Sequence, residues 1–95
     1  MELRHLRYFQ AVAEELSFSR AARRLNIAQP ALSRAVQEME RELGTQLIER
    51  ERRSPRLTPS GMVLLHETSV LLERLEETLR RVRRTAKGEE GELRL

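Results

Sequence analysis

Residues 17–43 read SFSRAARRLNIAQPALSRAVQEMEREL, and the fold turns on where that stretch is cut. Ser17 is suited to cap a helix, because its hydroxyl accepts a backbone N–H that a first turn leaves unpaired. Phe18, Ala21, Ala22 and Leu25 then recur at helical spacing and make one apolar stripe. The alanines in its middle let a second helix cross at short distance. Asn26 tolerates the left-handed backbone that ends a helix, so the first helix is expected to stop there. Ile27 is apolar within a polar turn and is expected to plug the core from the corner. Pro30 lacks an N–H that a first turn does not need, which puts it at the start of a second helix. Leu32, Val36, Met39 and Leu43 make that helix's buried stripe, and Gly44 terminates it.

The other face of the second helix carries Gln29, Pro30, Ser33, Arg34 and Gln37. A helix of this kind can lie in a major groove with its N-terminal residues toward the base edges. Arg forks onto guanine, Gln onto adenine, and Ser reaches either. Any surface helix has a polar face, so this pattern alone does not decide. Charge adds more. Arg20, Arg23, Arg24 and Arg34 fall between Leu16 and Gln37 with no acidic residue among them, in a chain holding 15. Double-stranded DNA, with its phosphates, is the natural partner of that imbalance.

The 95 residues allow one small domain and one additional long element. With 39% hydrophobic but only 3% aromatic residues, the core must be aliphatic, and a large ligand pocket is not expected. Net charge is only +3, yet the pI is about 10.5, because all but Lys87 of the 18 basic residues are arginine. Arginine stays charged and presents a fixed fork to phosphate and guanine. The absence of cysteine excludes disulfides, zinc knuckles and thiol catalysis. There is no aspartate, His5 and His66 have no partner at metal or triad spacing, and Glu38, Glu40 and Glu42 read as solvated helix charge. No catalytic residue, metal site or cofactor is therefore expected in this chain. No apolar run reaches the roughly 18 residues of a membrane span, and the N-terminus lacks a signal peptide's apolar region. A cytoplasmic protein with no membrane partner is expected.

Residues 2–16 form a preceding amphipathic helix, with Leu6, Phe9, Val12, Ala13 and Leu16 on one side and Arg4, Arg7, Gln10 and Glu14 solvated. Beyond Gly44, QLIER (46–50) and Leu57-Thr58 flank ERRSPR (51–56), the pattern of a short β-hairpin wing with a basic tip. Arginine favours narrow minor grooves. Arg50, Arg52 and Arg53 are accordingly expected at the minor groove or backbone, with Ser17 a further contact. Thr58 and Pro59 start a last helix that meets no breaker until about Lys87. Leu65, Thr68, Leu72, Leu75, Leu79, Val82 and Ala86 alternate spacings of three and four, a heptad seam, and Leu64 and Leu71 beside it are placed to dock on the first three helices. So long a helix outruns a domain of this size, and its seam is expected to join the same helix of a second chain. Gly88-Glu89-Glu90-Gly91 breaks it, and Glu92-Leu93-Arg94-Leu95 alternates like the start of a strand. A longer protein is expected.

The expected fold is mainly α. Residues 1–58 form a winged helix-turn-helix (three helices and a two-stranded β wing), 59–87 a long dimerisation and linker helix, and 88–95 a hinge into a further C-terminal domain. A helical interaction module that dimerises without nucleic acid would account for the seam, but not for the basic face or the wing.

These residues resemble the N-terminal domain of the LysR-type transcriptional regulators along essentially the whole chain. The resemblance rests on Leu3, Phe9, Ser17, Phe18, Ala21, Ala22 and Leu25, on Gln29-Pro30-Ala31-Leu32-Ser33, and on Leu43-Gly44. It continues through Leu47, Arg50, Arg53, Leu57-Thr58 and Gly61. It implies a dimer reading inverted DNA half-sites and an effector domain for a small-molecule inducer outside these residues. It further implies a tetramer for the full-length protein, with RNA polymerase as a further partner. The opening MELRHLRYF is similar to regulators of aromatic-compound catabolism. Three positions depart from the family pattern. Ala28 stands where Ser or Thr is frequent and cannot cap by a side-chain oxygen, Ile48 replaces a frequent Phe, and Ser60 a frequent Ala.

Overall fold

The computed structural model describes residues 1–51 and 53–88. Arg52 and residues 89–95, with the expected hinge and strand start, lie outside them. The elements in chain order are α1 (Leu3–Glu15), α2 (Phe18–Leu25), α3 (Gln29–Leu43), β1 (Ile48–Glu49), β2 (Arg56–Leu57) and α4 (Pro59–Ala86).

Local chemistry sets most of the boundaries. The Glu2 N–H donates to His5 Nδ1 at 2.9 Å, which uses His5 to start α1. Ser17 Oγ accepts the Arg20 N–H at 3.1 Å and begins α2. Asn26 takes the left-handed conformation (φ 58°), and the Ile27 N–H returns to the Ala22 carbonyl at 3.0 Å, closing α2. Ala28 gives α3 no side-chain cap, and Pro30 sits in its first turn. Gly44 ends α3 at φ 68°. Thr58 Oγ1 accepts the Gly61 N–H at 3.0 Å and starts α4.

The core lies where α1, α2 and α3 meet and is sealed by the wing. Phe9, Val12, Ala21, Leu32 and Val36 are fully buried, with Met39, Leu47 and Ile48 at 1% exposure. Ile27 packs against this cluster from the turn, as its isolated apolar character led one to expect. Two residues of the expected stripes fall outside it. Leu16 is 44% exposed because it is not in α1 but follows it in a left-handed turn, φ 49°. Leu43 is 47% exposed because the chain leaves α3 immediately after it, and Leu47 and Ile48 cover the core instead. The wing is a minimal antiparallel pair, Ile48 opposite Leu57 and Glu49 opposite Arg56.

Helix α4 is 28 residues long, roughly 42 Å at 1.5 Å per residue. Its seam divides. Leu65 packs on the core cluster, and Thr68 and Leu72 are buried (2% and 5% exposed) where α4 lies along α1. Gln10 Nε2 donates to Ser69 Oγ and Arg7 Nη2 to Glu76 Oε1, both at 3.4 Å, across the same contact. Leu71, expected to dock on the domain, is 52% exposed. Spacings of three and four describe a helix-packing stripe as well as a coiled-coil seam. Helix α1 covers Thr68 and Leu72 in the first half of this one, and Leu65 is half-buried beside them. Leu75 is half-buried, while Leu79 and Val82 are 40% and 60% exposed.

Candidate nucleic-acid interface

One cleft gathers much of what the sequence singled out. The start of α2 contributes Ser17, Phe18 and Arg20, the start of α3 contributes Gln29 and Ser33, and the wing contributes Arg50, Arg53 and Pro55. Helix N-termini leave backbone N–H groups that favour anions. Pro30, Arg34 and Gln37 are exposed on the face of α3 opposite the buried Leu32 and Val36, next to the cleft rather than in it.

Burial and pairing separate the arginines. Arg24 donates to Glu14 at 2.6 Å and to Glu15 at 3.3 Å, and Arg20 donates to the Glu15 carbonyl at 2.8 Å and lies 3.6 Å from its carboxylate. The Glu14 hydrogen bond is the largest influence raising the Arg24 pKa, so that guanidinium is held charged. The acid-free run between Leu16 and Gln37 is thus partly neutralised in space by carboxylates of α1. Arg34 and Arg53 have no hydrogen-bond or ion-pair partner among the described residues, and both are exposed.

Arg50 lines the cleft and also has a partner within the domain. It is held inside the domain, with Nη1 donating to Glu40 Oε1 at 2.9 Å and the guanidinium carbon 5.2 Å from the centre of the Phe18 ring. Glu40, read from sequence as solvated, is 13% exposed and also accepts the backbone N–H groups of Leu47 and Ile48. The sequence signal that marks it off from Glu38 and Glu42 is its place on the flank of the buried stripe, directly after Met39 and four residues after Val36.

Two helices crossing over small residues, a polar helix start and a hairpin beside it define a winged helix-turn-helix protein. The model of the lysR family of bacterial regulatory helix-turn-helix proteins matches residues 3–62, and the chain belongs to that family. It is 48% identical over 95 residues to the HTH-type transcriptional regulator YnfL of Escherichia coli, covering all of this chain and 32% of the relative. It is 48% identical over 89 residues to the regulator BenM of Acinetobacter baylyi, covering 94% of this chain and 29% of BenM. The chain therefore spans about a third of the length of these curated relatives. Among solved structures, the BenM DNA-binding domain in complex with catB site 1 DNA superposes with a TM-score of 0.93 at 46% identity, covering 98% of this chain and all of that one. The CbnR DNA-binding domain in its DNA complex gives 0.84 at 40% identity, covering 90% of this chain and 99% of that one.

Proposed function

We propose that residues 1–58 read double-stranded DNA sequence-specifically as the DNA-binding unit of a LysR-type transcriptional regulator. Helix α3 enters the major groove with Gln29, Pro30, Ser33 and Arg34 toward the bases and Gln37 beside them. Arg53, with Arg52, serves the minor groove or backbone, and Ser17 lies against the sugar-phosphate chain. The observation that carries this reading is the cleft itself: Gln29 and Ser33 of α3 share it with Arg53 of the wing, on the solvent side of the domain. The BenM and CbnR complexes with DNA support it.

Residues 59–87 join two copies so that inverted half-sites are read together. Leu75, Leu79 and Val82 serve that contact, and the exposed Val70 and Leu71 extend it. Residues 88–95 lead toward an effector domain that senses a small-molecule inducer, with aromatic-compound catabolism the setting that the opening residues favour. The protein works in the cytoplasm as a binding protein rather than a catalyst. Among the described residues no helix is long and apolar enough to cross a membrane, and no cluster of three or more His, Cys, Asp or Glu residues could hold a metal ion.

Selection from random duplex DNA, followed by titration at two salt concentrations, tests the reading. Binding that weakens as salt rises is expected from released counterions. Absent or salt-independent binding would leave only a dimerising helical interaction module. Arg34→Ala is expected to cost about 2 kcal/mol and to relax preference at one base pair; unchanged selection would remove Arg34 from base readout. Arg53→Ala is expected to weaken all sequences alike and to lower the salt slope by about one. A slope equal to wild type would take the wing tip off the phosphates.

A further inference from the structure

A pair of two-residue strands cannot fix its own angle, since even a full isolated hairpin is marginal in water. One carboxylate supplies what the strands lack. Glu40 Oε2 accepts the Leu47 N–H at 2.7 Å and the Ile48 N–H at 3.2 Å, which pins the entry of β1 to α3. Its Oε1 accepts Arg50 Nη1 at 2.9 Å, at the exit of the same strand. Arg50 then lies over Phe18, the first residue of α2. Its Nε and Nη2 are buried without a hydrogen-bond partner. The carboxylate and the ring are therefore what hold it. Helix α2, helix α3 and the wing thus meet at one half-buried ion pair, and a partner removed from such a pair leaves an unbalanced charge.

We infer that Glu40 and Arg50 are positioning residues that set the angle of the wing, so that Arg53 reaches the same duplex as Gln29 and Ser33. The inference rests on the DNA reading above. In this role both residues act through Arg53 rather than by a contact of their own with the nucleic acid.

A double-mutant cycle on duplex binding separates positioning from general stability. In the wild-type chain Arg53→Ala is expected to weaken binding about tenfold and to lower the salt slope by about one. In a Glu40→Gln background, with folding checked by circular dichroism, the same change is expected to cost about twofold or less, because Arg53 has already been displaced. Glu40→Gln alone should show the reduced salt slope. A merely structural role would shrink the folded fraction and leave both the Arg53 factor and the slope of the folded protein intact. Arg50→Lys keeps the charge but loses the fork and the flat face over Phe18. It goes through the same cycle with the same expected result, and decides alone if Glu40→Gln does not fold. An Arg53 factor that is equal in wild type and variants, or absent already in wild type, overturns the positioning role. No salt-dependent binding by the wild-type chain would instead remove the DNA reading beneath it.

Discussion

Leu32→Ala is expected to lower folding stability by about 3–4 kcal/mol. Leu32 is fully buried in α3, one position before Ser33 and two before Arg34. Ala21 and Ala22 of α2 are buried in the same core cluster, at 0% and 4% exposure, and α2 packs against α3. Alanines have no longer side chain to swing into a void, and the close approach they permit leaves the two helices little room to settle. The lost transfer energy and the residual cavity therefore add rather than offset. Small domains hold only about 5–15 kcal/mol in total, so the variant should remain folded but with a much lower denaturation midpoint. A denaturant titration with an unchanged slope would measure it. A loss under about 1 kcal/mol would mean that the site collapses on itself, and that Leu32 does not set how α3 is mounted.

What the sequence made legible follows the range of the interactions involved. Helix starts at Ser17 and Thr58 and the stops at Asn26 and Gly44 depend on atoms within a few residues, and they fall where the residues pointed. The polar start of α3 and the basic wing were likewise readable, because a helix face and a hairpin tip are local facts. The arginines were not readable one by one. Arg20, Arg24 and Arg53 look alike in the chain, but only a folded α1 brings Glu14 and Glu15 to the first two. Arg50 and Glu40 are ten residues apart and find each other only because the chain reverses at Gly44. The α4 seam was ambiguous for another reason, since period alone does not say whether α1 or a second chain fills it. Leu43 has the period of a core residue but loses that place to the end of the helix.

Gly61→Ala poses two effects of opposite sign. Inside a helix, alanine is better than glycine by about 1 kcal/mol, so propensity alone predicts a more stable protein. Packing predicts the reverse. A Cβ at position 61 would run into the Leu47 carbonyl oxygen, with the Leu47 carbonyl carbon at 3.1 Å and Leu57 Cδ2 at 3.4 Å. A flexible side chain could swing away from such a contact, but this obstacle is backbone. The Leu47 carbonyl accepts the Thr58 N–H at 3.0 Å, and the Leu47 N–H is held by Glu40 at 2.7 Å. Relief requires the start of α4 to lift from the wing, which strains the Thr58 cap and loosens Leu57 and Leu64 against the core. Overpacking of this kind costs about 3 kcal/mol, and it outweighs the propensity gain. The expected result is a net loss of about 2 kcal/mol or more in a denaturant titration, together with a weaker salt slope for DNA as the wing shifts. Gly61→Ser should be at least as costly, since it carries the same Cβ without alanine's helix preference. A thermal or denaturant midpoint above wild type for Gly61→Ala would show that helix propensity wins, and that the wing does not rest on α4 at Leu47.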